Sequence, residues 1–334
     1  MISSMKLFLR YYLVVVAGIL LLPAVGEAQF SPVAPGFTDA SVSNAHLQIS
    51  PRYYEPNSTV TVQLQAFSMN TNGATIRWFI DGTENPNYRN ERSLPVTVGE
   101  LGEVQSVQAI ISTPSGAEIP VTTILRPVRI DLLIEADTLT PAFYRGRSLP
   151  TSGSTVRVTA LPFTGDGSTP SAFSYTWEVG EDVIAGGSRQ GKNTVTFTPD
   201  FERAERVTVT VIDQSGTTIA SRSIAIPINE PELYFYEVNP LRGLQEIALK
   251  DNQPFSGIEM EIRAEPYYIS RGLADDTLHT EWKLGGKTVA NPSRDPQQIS
   301  LRRQQATGSF SLEFEIRNLN QLLQGVKESI TLRF

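Results

Sequence analysis

Ser174-Tyr175-Thr176-Trp177-Glu178-Val179-Gly180 decides the fold, because it occurs three times in altered form. Ile76-Arg77-Trp78-Phe79-Ile80-Asp81-Gly82 precedes it, and Thr280-Glu281-Trp282-Lys283-Leu284-Gly285-Gly286 follows it. Each copy alternates an inward set (Ile76, Trp78, Ile80; Tyr175, Trp177, Val179; Trp282, Leu284) with outward residues such as Arg77, Thr176, Glu178 and Lys283. A period of two that ends in a turn is the pattern of a strand with one buried face. These are all three tryptophans of the 334-residue chain, 99 and 105 residues apart, and that spacing matches one small β-sandwich per tryptophan. Trp78, Trp177 and Trp282 are therefore expected to be structural core.

Working outward, Val60, Val62, Leu64 and Ala66 alternate with polar residues in the first repeat, as do Val156, Val158 and Ala160 in the second and Ile258, Met260, Ile262 and Ala264 in the third. Val107, Ala109 and Ile111 lead into Thr113-Pro114-Ser115-Gly116, and Val207, Val209 and Val211 lead into Asp213-Gln214-Ser215-Gly216 one hundred residues later. Pro, Asp and Ser ahead of Gly supply the backbone angles of a tight hairpin. Phe310, Leu312, Phe314 and Ile316 make the corresponding strand of the third repeat. The best helical stretch is short, residues 201–205, and the loop 318–325 can form a helical turn. The fold class expected is all-β: three tandem antiparallel sandwiches in an elongated array, stiffened by prolines at the boundaries.

The domains expected are 46–127, 128–227 and 228–334. Ahead of them, Lys6 and Arg10 precede an apolar run that ends in Pro23 and a small-residue site, Gly26-Glu27-Ala28. That order is a secretory signal over residues 1–28, with residues 29–45 as a proline-punctuated linker. The protein is thus expected to be extracytoplasmic, secreted or cell-surface, with membrane attachment only through this segment if it is retained. Losing Lys6, Arg10 and Glu27 moves the net charge from −7 to −8. Mild acidity without a basic cluster excludes nucleic acid as a partner. Cysteine is absent, so each sandwich must stand on its apolar core.

The tryptophan strand with its turn, Trp78-Phe79-Ile80-Asp81-Gly82, and the late alternating strand Val207-Thr208-Val209-Thr210-Val211 resemble immunoglobulin-like sandwiches, and among them the PKD-like domains of bacterial cell-surface proteins. The resemblance covers residues 46–334; Trp177 and Trp282 lack the Gly-Asp-Gly turn of the fuller PKD motif, and the antibody cysteine pair is missing. It implies a non-enzymatic spacer, adhesion or appendage-assembly module, pilus-associated systems included.

Chemistry is sparse. The two histidines, His46 and His279, lie in different repeats and neither accompanies a nucleophile motif, so no catalytic residue, enzyme activity or cofactor is expected. Asp275, Asp276 and His279 are the one grouping with metal-ligand character, set against an ordinary solvated loop. Adjacent aromatics are better candidates for binding: Tyr53-Tyr54, Phe143-Tyr144 and Tyr267-Tyr268 put one ring of each pair toward solvent or a neighbouring domain. Partners would be a protein or a glycan at the cell surface. A carbohydrate-binding accessory protein using these aromatic pairs is the alternative reading, set against rings packed over a sandwich edge or joint.

Overall fold

The computed structural model describes residues 45–66, 73–184, 188–200, 204–255, 257–271, 277–291, 293–304, 307–321 and 324–333. The expected signal segment, residues 1–28, and all of the expected linker, residues 29–45, except Ala45 lie outside these residues.

In the first sandwich, β1 (Ala45–Ser50), β2 (Thr59–Ala66) and β5 (Ser93–Thr97) form a three-stranded sheet in the order β1-β2-β5. The facing sheet runs β4-β3-β6-β7, from β3 (Thr75–Ile80), β4 (Thr83–Glu84), β6 (Gln105–Ser112) and β7 (Glu118–Leu125). Ala45, counted above with the linker, pairs with Ala66 and is buried. The second sandwich repeats the plan, with β8 (Arg129–Ala136), β9 (Val156–Phe163) and β13 (Thr194–Phe197) in the order β13-β9-β8. Its other sheet is β11-β10-β14-β15, built from β10 (Ser174–Val179), β11 (Asp182–Val183), β14 (Ala204–Ile212) and β15 (Thr218–Pro227), with β12 (Arg189–Gln190) also on β10.

The third sandwich pairs a sheet β17-β16-β19-β22 with a sheet β18-β24-β23-β20-β21. The strands are β16 (Glu232–Asn239), β17 (Gly243–Ala248), β18 (Gln253–Pro254), β19 (Glu259–Tyr267), β20 (Leu278–Leu284), β21 (Lys287–Val289), β22 (Gln298–Arg302), β23 (Ser309–Asn318) and β24 (Gly325–Arg333). β18 runs parallel to β24; the other strand pairs are antiparallel.

Each sandwich closes on its own core, and each core holds one of the tryptophans. Their indole N–H groups are satisfied in the same way. Trp78 donates to Glu91 O at 2.9 Å, Trp177 to Lys192 O at 3.0 Å and Trp282 to Pro296 O at 2.9 Å, in each case to a carbonyl 13 to 15 residues downstream. A buried indole needs this partner. The bond pins the segment that crosses from one sheet to the other, so the repeat conserves a polar tie as well as an apolar volume.

Both hairpins form where the turn residues place them. Gly116 N–H donates to Thr113 O and Gly216 N–H to Asp213 O, with both glycines at positive φ. Asp213 Oδ1 also accepts from the Ser215 and Thr217 backbone, and these bonds, led by the Ser215 hydroxyl, hold its carboxyl below the usual range. Asp166 caps the loop 164–168 likewise, accepting first from the Thr164 hydroxyl, and its pKa falls to about 2.

Three expectations are corrected. Ala204 and Glu205 belong to strand β14 and not to a helix, because Val207, Val209 and Val211 draw this segment into the sheet, and residues 201–203 lie outside the described residues. Among its described residues, the loop 318–321 and 324 forms bends and no helix, with Gln321 N–H on Asn318 O, Gln324 N–H on Gln321 O, and the Asn318 N–H to Gln324 O bond of 2.8 Å closing it. Ile258, expected inward, is 64% exposed because β19 starts one residue later.

The first and second sandwiches meet at two glycines. A Cβ on Gly165 would stand 2.3 Å from Gly102 Cα, and both residues have positive φ. Gly165→Ala must therefore push two backbones apart as well as strain its own. An exposed pair, Arg222 to Glu55 at 3.3 Å, adds a weaker tie. Gly116→Ala supplies the control, since nothing lies within 4 Å of its added carbon. The control should lose about 1–2 kcal/mol from left-handed strain alone. Gly165→Ala should lose about 1–3 kcal/mol more from overpacking, read from denaturant unfolding of both variants.

Candidate functional site

The junction of the second and third sandwiches is built differently, with backbone bonds crossing it. Leu139 N–H donates to Ile269 O at 2.7 Å, Tyr268 N–H returns to Leu139 O at 2.8 Å, and Arg271 N–H reaches Asp137 O at 3.2 Å. Isolated bridges link Thr138 with Ser270 and Thr151 with Asn229. Leu139 packs against the third core.

Gln324, buried to 1% exposure, organises the polar side of this junction. Its Oε1 accepts from the Ser270 N–H at 3.0 Å and from Asn318 Nδ2 at 3.3 Å. Its Nε2 donates to Ser152 O at 2.7 Å and to Ser270 Oγ at 2.8 Å. One side chain from the third sandwich thus satisfies groups on both sides. Tyr268 takes φ +64°, a region that bulky side chains rarely enter.

The aromatic candidates separate into two places. Phe143 packs edge-on against Tyr236 at 5.1 Å and Tyr144 against Tyr267 at 5.3 Å, while the Tyr144 and Tyr268 hydroxyls bond at 3.1 Å. Tyr267 and Tyr268 are 6% and 7% exposed, so neither forms a solvent-facing platform. Alternation fails here because the far end of β19 is covered on both faces, from Ala264 through Tyr267. Burial, then the bonds from Tyr236 and Tyr144, raises both hydroxyl pKa values. Tyr53 and Tyr54 lie far off in the first sandwich. Tyr53 is half-buried under the Arg52 guanidinium, and Tyr54 accepts the Arg126 N–H at 3.0 Å while packing on the first core.

Beside the aromatic contacts lies a cleft of about 500 Å³. Leu139, Pro141, Ala142 and Phe143 of the second sandwich form one wall, and Val238, Leu244 and Pro266 of the third form another. Arg263, Glu265, Gln297 and Gln298 supply its polar lining. Arg263 Nε donates to Glu265 Oε1 at 2.5 Å, its Nη1 bonds Asp295, and its Nη2 lies 3.4 Å from Gln297 Oε1. Glu265 keeps 9% of its side chain exposed. Burial raises its pKa, and the Arg263 charge offsets that only in part.

Arg263, Glu265 and Gln324 were not singled out from sequence. The available trace was Glu265-Pro266-Tyr267-Tyr268, where a strand alternating cleanly up to Ala264 abruptly acquires side chains too large and apolar for an exposed face.

Of the metal candidates, Asp275 and Asp276 lie outside the described residues. His279 is exposed on β20 opposite Arg317, and the described residues contain no group of three potential metal ligands. His46 sits on the edge strand β1 opposite Gln65.

No known family profile matches the chain, and no curated protein matches it in sequence. Solved structures do. The three N-terminal domains of the Highly Immunogenic Outer Capsid protein of bacteriophage RB49 share 15% identity, over 87% of this chain and 98% of that one, at a TM-score of 0.25. The fibronectin(III)-like modules of Clostridium thermocellum CbhA share 12% over 55% and 94%, at 0.26. A putative membrane anchored protein from Corynebacterium diphtheriae shares 12% over 87% and 91%, also at 0.26. At this level of overlap none of them assigns a function. The strand order itself makes the described chain an all-β protein of tandem immunoglobulin-like sandwiches.

Proposed function

We propose that the chain is an exported, non-enzymatic surface protein related to the PKD-like sandwiches, acting as a spacer, adhesion or appendage-assembly module, pilus-associated systems included. The junction of the second and third sandwiches carries this reading. Its crossing backbone bonds, with the Gln324 bond to Ser152 O held in place by three more within the third sandwich, fix one sandwich on the next, the property a spacing element requires. Most joints between domains are polar, modest and permissive of motion. Here the joint has the density of polar satisfaction found in an interior. The repeats also keep core and turn positions while their outward residues differ, which suits a scaffold more than a reaction centre.

The aromatic-pair version of the carbohydrate reading loses support from the burial of Tyr267 and Tyr268. Expression with the native N-terminal segment in a bacterial host, followed by fractionation and N-terminal sequencing, tests the proposal. The expected result is an extracytoplasmic chain beginning at Gln29 and inert toward ester, peptide and glycoside substrates. Recovery from the cytoplasm, or turnover of any of those substrates, would overturn it.

A further inference from the structure

The geometry points to the cleft at this junction as a binding site for a neutral sugar, one or two rings of an oligosaccharide. This rests on the cleft alone and not on the surface-module reading.

Charge narrows the ligand first. Arg263 and Glu265 are the charged residues of the lining, and they are paired with each other, with Arg263 also paired to Asp295 outside the lining. An anion would approach Glu265 and compete for a guanidinium already shared by two carboxylates. A cation would face Arg263. A wholly apolar ligand would bury the remaining polar atoms without partners, which costs about 1–3 kcal/mol for each.

The hydrogen-bonding inventory then favours hydroxyls. Arg263 has five N–H groups, and bonds to Glu265, Asp295 and Gln297 occupy three, leaving two without a bond among the described residues. Glu265 uses Oε1 for Arg263, and no bond to Oε2 is found among the described residues. A desolvated carboxylate beside spare guanidinium donors and the Gln297 amide matches vicinal hydroxyls, which donate and accept from adjacent carbons. Pro141 and Phe143 from the second sandwich and Leu244 from the third offer apolar surface for the C–H face of a ring. A volume of about 500 Å³ lies within the usual range of ligand sites, which favour interfaces between domains. Because the walls come from two sandwiches tied by backbone bonds, the site is formed before the ligand arrives.

The test uses the exported chain against an array of neutral glucan, galactan, mannan and chitin oligomers, with uronate glycans and a neutral Asn/Ser-rich peptide alongside. Hits are followed by calorimetry and by NMR shifts of assigned amides. The expected result is a neutral glycan that shifts Phe143, Leu244 and Gln297, with Kd weakened at least tenfold by Leu244→Trp, which fills the cleft, at an unchanged unfolding midpoint. If Leu244→Trp does not fold, the shift map of the native chain decides alone. A silent array, hits confined to uronates or to the peptide, or shifts lying elsewhere would overturn the assignment. None of these outcomes touches the surface-module proposal, which is read from fractionation.

Discussion

Trp78→Ala should destabilise the first sandwich by about 3–5 kcal/mol, the cost of deleting a large aromatic from a core that cannot collapse around the void. Trp78 is fully buried, and it sits opposite Ala109 on β6, a small residue that cannot grow into the space. The loss exceeds packing, because Glu91 O forfeits the indole N–H that pins the segment crossing toward β5. Set against a typical domain stability of about 5–15 kcal/mol, this leaves the first sandwich partly unfolded under mild denaturant. Hydrogen exchange resolved by sandwich makes the measurement, with the third core as internal reference. A loss under about 1 kcal/mol would mean that the indole is not the keystone of its core.

Gln324→Leu should be nearly as costly, through polarity and not volume. The replacement leaves Ser270 N–H, Ser270 Oγ, Asn318 Nδ2 and Ser152 O without their partner. Each orphaned buried group costs about 1–3 kcal/mol, so a total of about 3 kcal/mol or more is expected even if some groups find substitutes. The effect should localise: exchange of the Leu139 and Tyr268 amides, whose bonds cross the junction, should accelerate roughly a hundredfold, since each 1.4 kcal/mol is a factor of about ten. Exchange unchanged at those two amides, with the protein folded, would show that the joint does not depend on this side chain.

Local signals made much of the fold legible. The tryptophan strands and the hairpins at Gly116 and Gly216 each announce themselves within a few residues, by a period of two or by a turn that demands positive φ. What failed was whatever depends on a second layer. Tyr267 and Tyr268 were expected to send one ring toward solvent or a neighbouring domain, and which of the two applies could not be read from their own strand; both rings meet Tyr144 of the second sandwich. Glu265 reads as one more outward acid, and Gln324 as one more loop glutamine, because nothing within their own segments records that another sandwich will rest on them. At the end of the one stretch with some helical preference, Ala204 and Glu205 pair with Pro227 and Ile226 of β15, and that pairing overrode local preference. Of the candidate site, Phe143 and Tyr144 were found from the repeat, while Arg263 and Glu265 required the coordinates.

The glycine pair between the first and second sandwiches limits how this protein can evolve. Gly102 and Gly165 approach so closely that a methyl group on Gly165 collides with its counterpart. The units share one plan, yet they cannot be shuffled freely: a repeat recombined into the second position must bring a side-chain-free corner that matches the one before it. Modularity here is inherited in adjoining pairs.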